Sequence, residues 1–395
     1  MSEQSMFRII FFLLLLTLQD VALSQTFVPG TSYFGRNNYI EYIAGNFPLI
    51  ISVPHGGAVA PSEIPDRTCG DETVTDSYTI NLAREIYDAV FNLTGCYPHL
   101  IINNLKRTKL DANRDITEAA CGNEFAEKAW NEFQNYLDSA TANVTRKSGK
   151  GLYIDLHGHG HTIQRLELGY LLSASQLANS DAILNTSLYI NATSIRKLVQ
   201  SNVQNLSNSD LLRGISSLGS LFASKGFPAV PSIDDRYPLT GQLYFNGGYN
   251  TERHGSKTSG TIDGIQIECN QDVRFTDLSR KDFAARTATI FLDYLTKHYF
   301  PTSSQTYCKT VGIDQIYLPN LSLYPNPFDN EVNLHNSIST TLSIYDFQGK
   351  LVFTDRVGVE EQLYLGYLDE GIYLFVLSNG GKILRSVKMI KVCSE

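Results

Sequence analysis

The chain has 395 residues, 43% of them hydrophobic and 18% charged, a length and balance that suit two packed domains and exclude a disordered or fibrous protein. Its formal net charge of −8 leaves no basic face to neutralise phosphates, which argues against a nucleic-acid partner and for a small-molecule or short peptide substrate.

In chain order, the opening MSEQSMFRIIFFLLLLTLQDVALSQ joins Arg8 to an apolar run from Ile9 to Leu16 and then to the small residues Ala22 and Ser24. The run is short for a bilayer span, so residues 1–24 read as a secretory signal. No later stretch is long and apolar enough for an integral membrane segment, so export as a soluble protein is expected. Export changes the reading of the six cysteines, Cys69, Cys96, Cys121, Cys269, Cys308 and Cys393. They contain no CxxC pair, which argues against a cysteine zinc knuckle and for disulfides whose pairing stays open.

From about residue 45 to 298, strand and helix signals alternate. PLIISV (48–53), PHLIIN (98–103), GLYIDL (151–156) and IDGIQIE (262–268) are apolar runs of the kind that form buried strands. Helical periods fall at Val74 to Leu93, closed by Gly95, and at Glu124 to Leu137, Ser194 to Leu206 and Arg280 to Tyr299. The alternation predicts an α/β domain over 25–300, a mostly parallel sheet flanked by helices. Residues 301–320 read as a linker. Residues 321–395 carry strand and turn signals with almost no helical period, among them TTLSIYDF, KLVFTDRV and GIYLFVLSN, with Gln348-Gly349 and Asn379-Gly380-Gly381 between strands. They read as a separate small all-β sandwich.

The chemistry gathers at strand ends. His55 follows PLIISV, His157 follows GLYIDL, and Glu268 closes IDGIQIE, so three reactive side chains sit where open α/β sheets bind ligands. Zinc catalysis needs His, Asp or Glu ligands, an open position for water and a carboxylate to take its proton. His55 and His157 supply two imidazoles and Asp76 is favoured as the third ligand, with Asp71 and Glu72 as alternatives, leaving Glu268 as the base. In HGHGH, His157 is held by the strand, whereas His159 and His161 lie in a glycine-rich turn. His159 stays open as a replacement ligand, and Asp155 is available to orient an imidazole. A second cluster, LKRTKLDANRD (105–115), presents Arg107, Asp111, Asn113 and Arg114. Asn113 and Arg114 suit a substrate carboxylate, and Arg107 suits the oxyanion of a hydrolysed carbonyl.

SVPHGG, DSYTINLA, KRTKLDANR, DLH, NGGYNTERHG and GIQIE occur in the order seen in the N-formylglutamate amidohydrolase family, which roughly residues 45–298 resemble. The resemblance implies a phosphorylase/hydrolase-like fold related to the zinc carboxypeptidases, with one zinc on His55, Asp76 and His157. It further implies Glu268 and Arg107 in catalysis, and Asn113, Arg114, Arg253 and His254 in substrate binding. The implied reaction is hydrolysis of the amide bond of an N-acyl amino acid, or of a small peptide with a free carboxylate. The chain departs from the pattern in its extra histidines and in an insertion at 171–240 rich in Ser, Asn and Leu, expected to cover or reshape the pocket, so the acyl group need not be formyl. SLYPNPFDNEVNLH, LSIYDFQGKLVF and GIYLFVLSNGGK are similar to the sorting domain of type IX secretion cargo, which implies a secreted or cell-surface protein that passes through the periplasm. Six N-x-S/T sequons, beginning at Asn92 and Asn143, would instead mark glycosylation in a eukaryotic secretory pathway. The remaining readings are a carboxypeptidase-like peptidase, or an inactive secreted protein that captures acidic or cell-wall peptides through Arg107, Arg114 and Arg253.

Overall fold

A computed structural model describes residues 27–70, 72–300, 322–335, 339–379 and 382–392. The expected signal segment, the expected linker and Asp71 lie outside them. The chain divides into two compact units, one ending at Cys308 and one beginning at Lys309.

In the first unit, eight strands form one sheet: β1 (Ser32–Phe34), β2 (Ile40–Ile43), β3 (Leu49–Val53), β4 (His99–Asn103), β5 (Gly151–Gly158), β6 (Leu166–Gly169), β7 (Ala229–Val230) and β8 (Ile262–Cys269). Their order is β1-β2-β4-β3-β5-β8-β6-β7. The centre, β4-β3-β5-β8, is parallel. β2 joins β4, and β6 joins β8, in antiparallel fashion. The unbroken aliphatic runs follow from burial on both faces. Leu49, Ile51 and Val53 pack with Leu82, Ile86, Phe283 and Phe291 on one side. Ile50, Ile101 and Tyr153 pack with Ala126, Phe133 and Leu137 on the other.

The helices that cover these faces carry their own start and stop signals. Glu124–Ser148 begins where the Asn123 side chain accepts hydrogen bonds from the amides of Phe125 and Ala126, and it ends at Gly149 in the left-handed region. It runs eleven residues past the expected Leu137 because Ala140 and Val144 continue its buried stripe. The helix expected from Val74 starts only at Thr79. Asp76 therefore lies in irregular chain before the helix, with its amide donating to the His55 carbonyl at 3.0 Å and its own carbonyl accepting from Thr79.

The insertion folds into short helices, among them Arg196–Ser201, Asn208–Arg213 and Leu218–Ser224. Leu177, Leu184, Leu198, Leu211, Leu212 and Phe222 from it are buried in the main core. Its leucines extend that core beyond β6, while its serines cap helix starts, as Ser207 does for Asp210 and Ser217 for Ser220. A disulfide joins Cys69 to Cys121, and Cys269 is buried as a free thiol.

The second unit is a pair of antiparallel sheets, one of three strands and one of four. Alternate residues of Glu331–His335 and Thr340–Tyr345 face a core of Val332, Leu334, Leu342, Ile344, Phe375, Leu377 and Met389. The turn at Gln348-Gly349 is closed by Asp346, whose carboxylate accepts from the amides of Gln348 and Lys350, with Gly349 at positive φ.

Candidate metal centre

The carboxyl ends of β3 and β5 bring His55 and His157 together with their rings edge to face, 4.8 Å between centroids. Asp76 completes a buried group of three whose ligand atoms lie within 4.8 Å of one another. Asp76 Oδ2 is 3.5 Å from His55 Nδ1 and 3.2 Å from His157 Nδ1, and it also accepts from the Gly158 amide at 3.1 Å.

Each imidazole is oriented from behind. His55 Nε2 lies 2.6 Å from Asp111 Oδ1, and a carboxylate there accepts, so Nε2 carries the proton. The His55 Nδ1 lone pair then turns toward Asp76, and this buried nitrogen has no hydrogen-bond partner. His157 Nε2 lies 3.0 Å from Asp155 Oδ2, and Asp155 Oδ1 accepts from Ser52 Oγ at 2.5 Å. Two ring nitrogens and a carboxylate oxygen thus converge where a proton or a cation must bridge them. The donor set, with a carboxylate behind each histidine, suits a metal ion such as zinc.

Burial raises Asp76, but the hydrogen bond to His157 and the attraction of the two imidazoles outweigh it and hold the carboxyl well below its usual range. Burial lowers His157, but the charge and hydrogen bond of Asp155, with help from Asp76, hold it well above. Glu268 is paired with His157 across β5 and β8 and stands 3.9 Å from His157 Nδ1. Burial pushes it up to about 8, against His157 and with Asp76, Glu167 and Asp155 adding to the rise. Gln266 Nε2 donates to its Oε1 at 2.9 Å and fixes its position.

The remaining expected residues fall into distinct settings. Arg107 Nε donates to Asp111 at 2.9 Å, and its guanidinium reaches to 4.0 Å from Asp76. Asn113 Nδ2 lies 3.3 Å from His157 Nε2, while its Oδ1 accepts from the Asn250 amide at 2.8 Å. Arg114 is half-buried, held by Glu118 and by the Asn113 carbonyl. Arg253 is engaged by Asp138 and lies over Trp130, and His254 is buried against Gln134 at 2.7 Å. Glu72 is 49% exposed in its side chain and accepts from the Val74 amide rather than joining the cluster. His159 Nε2 donates to the Arg165 carbonyl at 2.8 Å, and its Nδ1 accepts from the His161 amide at 3.1 Å, so both nitrogens are committed.

Two carboxylates take positions that the sequence did not assign. Asp111 stands behind His55, and Glu167 pairs with Glu268 across β6 and β8. The first had a signal in the spacing of Arg107 and Asp111 within KRTKLDANR. The second had none, because β6 is a strand of four residues.

Residues 322–392 match the family model described as a secretion system C-terminal sorting domain. A domain of this kind implies a secreted or cell-surface protein. No curated protein matches the chain. Among the solved structures to which the chain is similar are three of low identity. One, from Agrobacterium tumefaciens, is described only as a gene product, with 12% identity, 65% of this chain and 95% of that chain covered, and a TM-score of 0.39. Another is N-formylglutamate amidohydrolase from Ralstonia eutropha JMP134, with 10% identity, 64% and 98% covered, and a TM-score of 0.38. The third is succinylglutamate desuccinylase from Chromobacterium violaceum, with 12% identity, 86% and 95% covered, and a TM-score of 0.31.

Proposed function

We propose that the first unit is a secreted zinc-dependent amidohydrolase. It cleaves the amide bond of an N-acyl amino acid, or of a small peptide with a free carboxylate. The observation that carries this reading is the convergence of His55 Nδ1, His157 Nδ1 and Asp76 Oδ2, with an orphaned buried nitrogen among them. Zinc on these three groups supplies Lewis acidity that lowers the pKa of a water and polarises the amide carbonyl.

The chain's own residues do the rest. Glu268, fixed by Gln266 and facing His157, takes a proton from the attacking water and gives it to the departing amine nitrogen. A cation held by His55, Asp76 and His157 would offset the burial that raises it and favour its carboxylate form. Arg107, steadied by Asp111, sets a positive charge beside the cluster to oppose the charge developing on the carbonyl oxygen. Asn113 and Arg114, on the loop after β4, hold the substrate carboxylate. The sorting domain delivers the chain to type IX secretion machinery.

The test is turnover of a panel of N-acyl amino acids and short peptides by the zinc-loaded chain, beside Glu268→Gln. Hydrolysis by the native protein, with kcat lowered by about a hundredfold or more in Glu268→Gln at unchanged zinc content, is expected. Equal rates in the two proteins would remove Glu268 from the mechanism.

A further inference from the structure

His161, Glu167 and the loop around Phe245 have no part in that chemistry, yet they stand in line with it. We propose that they form a subsite for an extended apolar acyl group, so that the substrate is an N-acyl amino acid with an aromatic or long aliphatic arm. This rests on the hydrolase reading of the His55, Asp76 and His157 centre.

The sheet order gives the direction. Across its carboxyl edge come the arginine-bearing loop after β4, then His55 after β3, His157 on β5, Glu268 on β8 and Glu167 on β6. His157 pairs with Glu268, and Glu268 with Glu167, so the three side chains share one face. A substrate carboxylate held at the Arg114 end leaves the acyl group pointing across Glu268 toward β6. Strands lie about 4.8 Å apart, so β6 is about 10 Å from β5. A formyl group is a single carbon and cannot cross that distance.

What waits at the β6 end is a braced aromatic surface. Glu167 accepts from Phe245 N at 2.8 Å and holds His161 Nδ1 at 2.8 Å, so both its oxygens are occupied. The His161 ring stacks on Phe245, 4.7 Å between centroids and 19° from parallel. Phe245 is nevertheless 45% exposed, and Ile163 and Leu243, two residues away in the same turns, are exposed as well. Arg165 fixes the turn from below through Asp235 at 2.6 Å and Gln242 at 3.0 Å. His159, His161 and Glu167 also lie close enough to hold an ion. With both His159 nitrogens and both Glu167 oxygens already in hydrogen bonds, the group is satisfied as it stands, and the apolar shelf is the better account.

The experiment uses the full zinc-loaded chain and N-acyl alanines that differ only in the acyl group: formyl, hexanoyl and phenylacetyl. The kcat/KM ratio of phenylacetyl to formyl is expected to be roughly tenfold or more. Phe245→Ala brings it toward one, and Phe245→Trp keeps it. The same ratio is read as affinity by calorimetry on Glu268→Gln, so a binding preference there with no turnover by the native chain contradicts hydrolysis alone and still supports the subsite. A ratio of one or less in the native protein, or a ratio unchanged in Phe245→Ala, overturns the subsite. No binding and no turnover anywhere in the series overturns both.

Discussion

His55 and His157 each commit one ring nitrogen to a buried carboxylate, and this decides which nitrogen faces the centre. Asp111 is wholly buried and is shared by His55 Nε2, the Arg107 guanidinium and the Asn113 amide. In Asp111→Asn the acceptor remains but its charge is lost, so zinc affinity is expected to fall by about 10- to 100-fold, measured by competition with a chelator. Unchanged affinity would mean that Asp111 only braces the loop. His99 shows a buried histidine with a different purpose. Burial pushes it down to about 3, and Tyr42 OH and the Gly45 amide hold its Nδ1. An unfolded histidine gains a proton near pH 6.5 whereas the folded one does not until about 3, so its contribution is complete above 6.5 and is lost as pH falls through that window. Asp263, raised by burial to about 6, tilts stability the opposite way, so the readout is a difference. His99→Gln should flatten the loss of stability between pH 6.5 and 4 by up to one proton, measured by denaturant titration at each pH. An unchanged slope would contradict the assignment.

At the scale of elements, what the sequence shows plainly is what local pattern determines. The runs PLIISV, PHLIIN, GLYIDL and IDGIQIE are β3, β4, β5 and β8 because burial on both faces demands unbroken aliphatic chain. His55, His157 and Glu268 were visible for the same reason, as polar residues where those runs stop. β1, β2, β6 and β7 were not, since strands of two to four residues leave too few positions for a period to register. Val74 fits the helical stripe, whereas the contact that keeps Asp76 out of the helix is a bond to His55 that sequence spacing does not reveal. The glycines of SVPHGG have a steric reason. A Cβ on Gly57 would lie 2.3 Å from the backbone of Asn104, so the loop carrying His55 passes directly against the end of β4. Gly57→Ala must push those backbones apart, and a loss of about 1–3 kcal/mol in denaturant unfolding together with weakened zinc binding is expected. Retention of both would show that the loop has room to yield.

On the scale of the whole molecule, the C-terminal sorting domain implies a secreted or cell-surface chain. The two units carry separate cores. The helical insertion enlarges the core of the first unit, a long-range consequence that composition alone hid behind its serines and asparagines. The central claim is one zinc on His55, Asp76 and His157. It is tested most directly by the zinc content of the purified chain beside His157→Ala and His159→Ala. The expected result is one zinc per chain, lost in His157→Ala and kept in His159→Ala. No stoichiometric zinc in the native protein, or loss in His159→Ala alone, would contradict it.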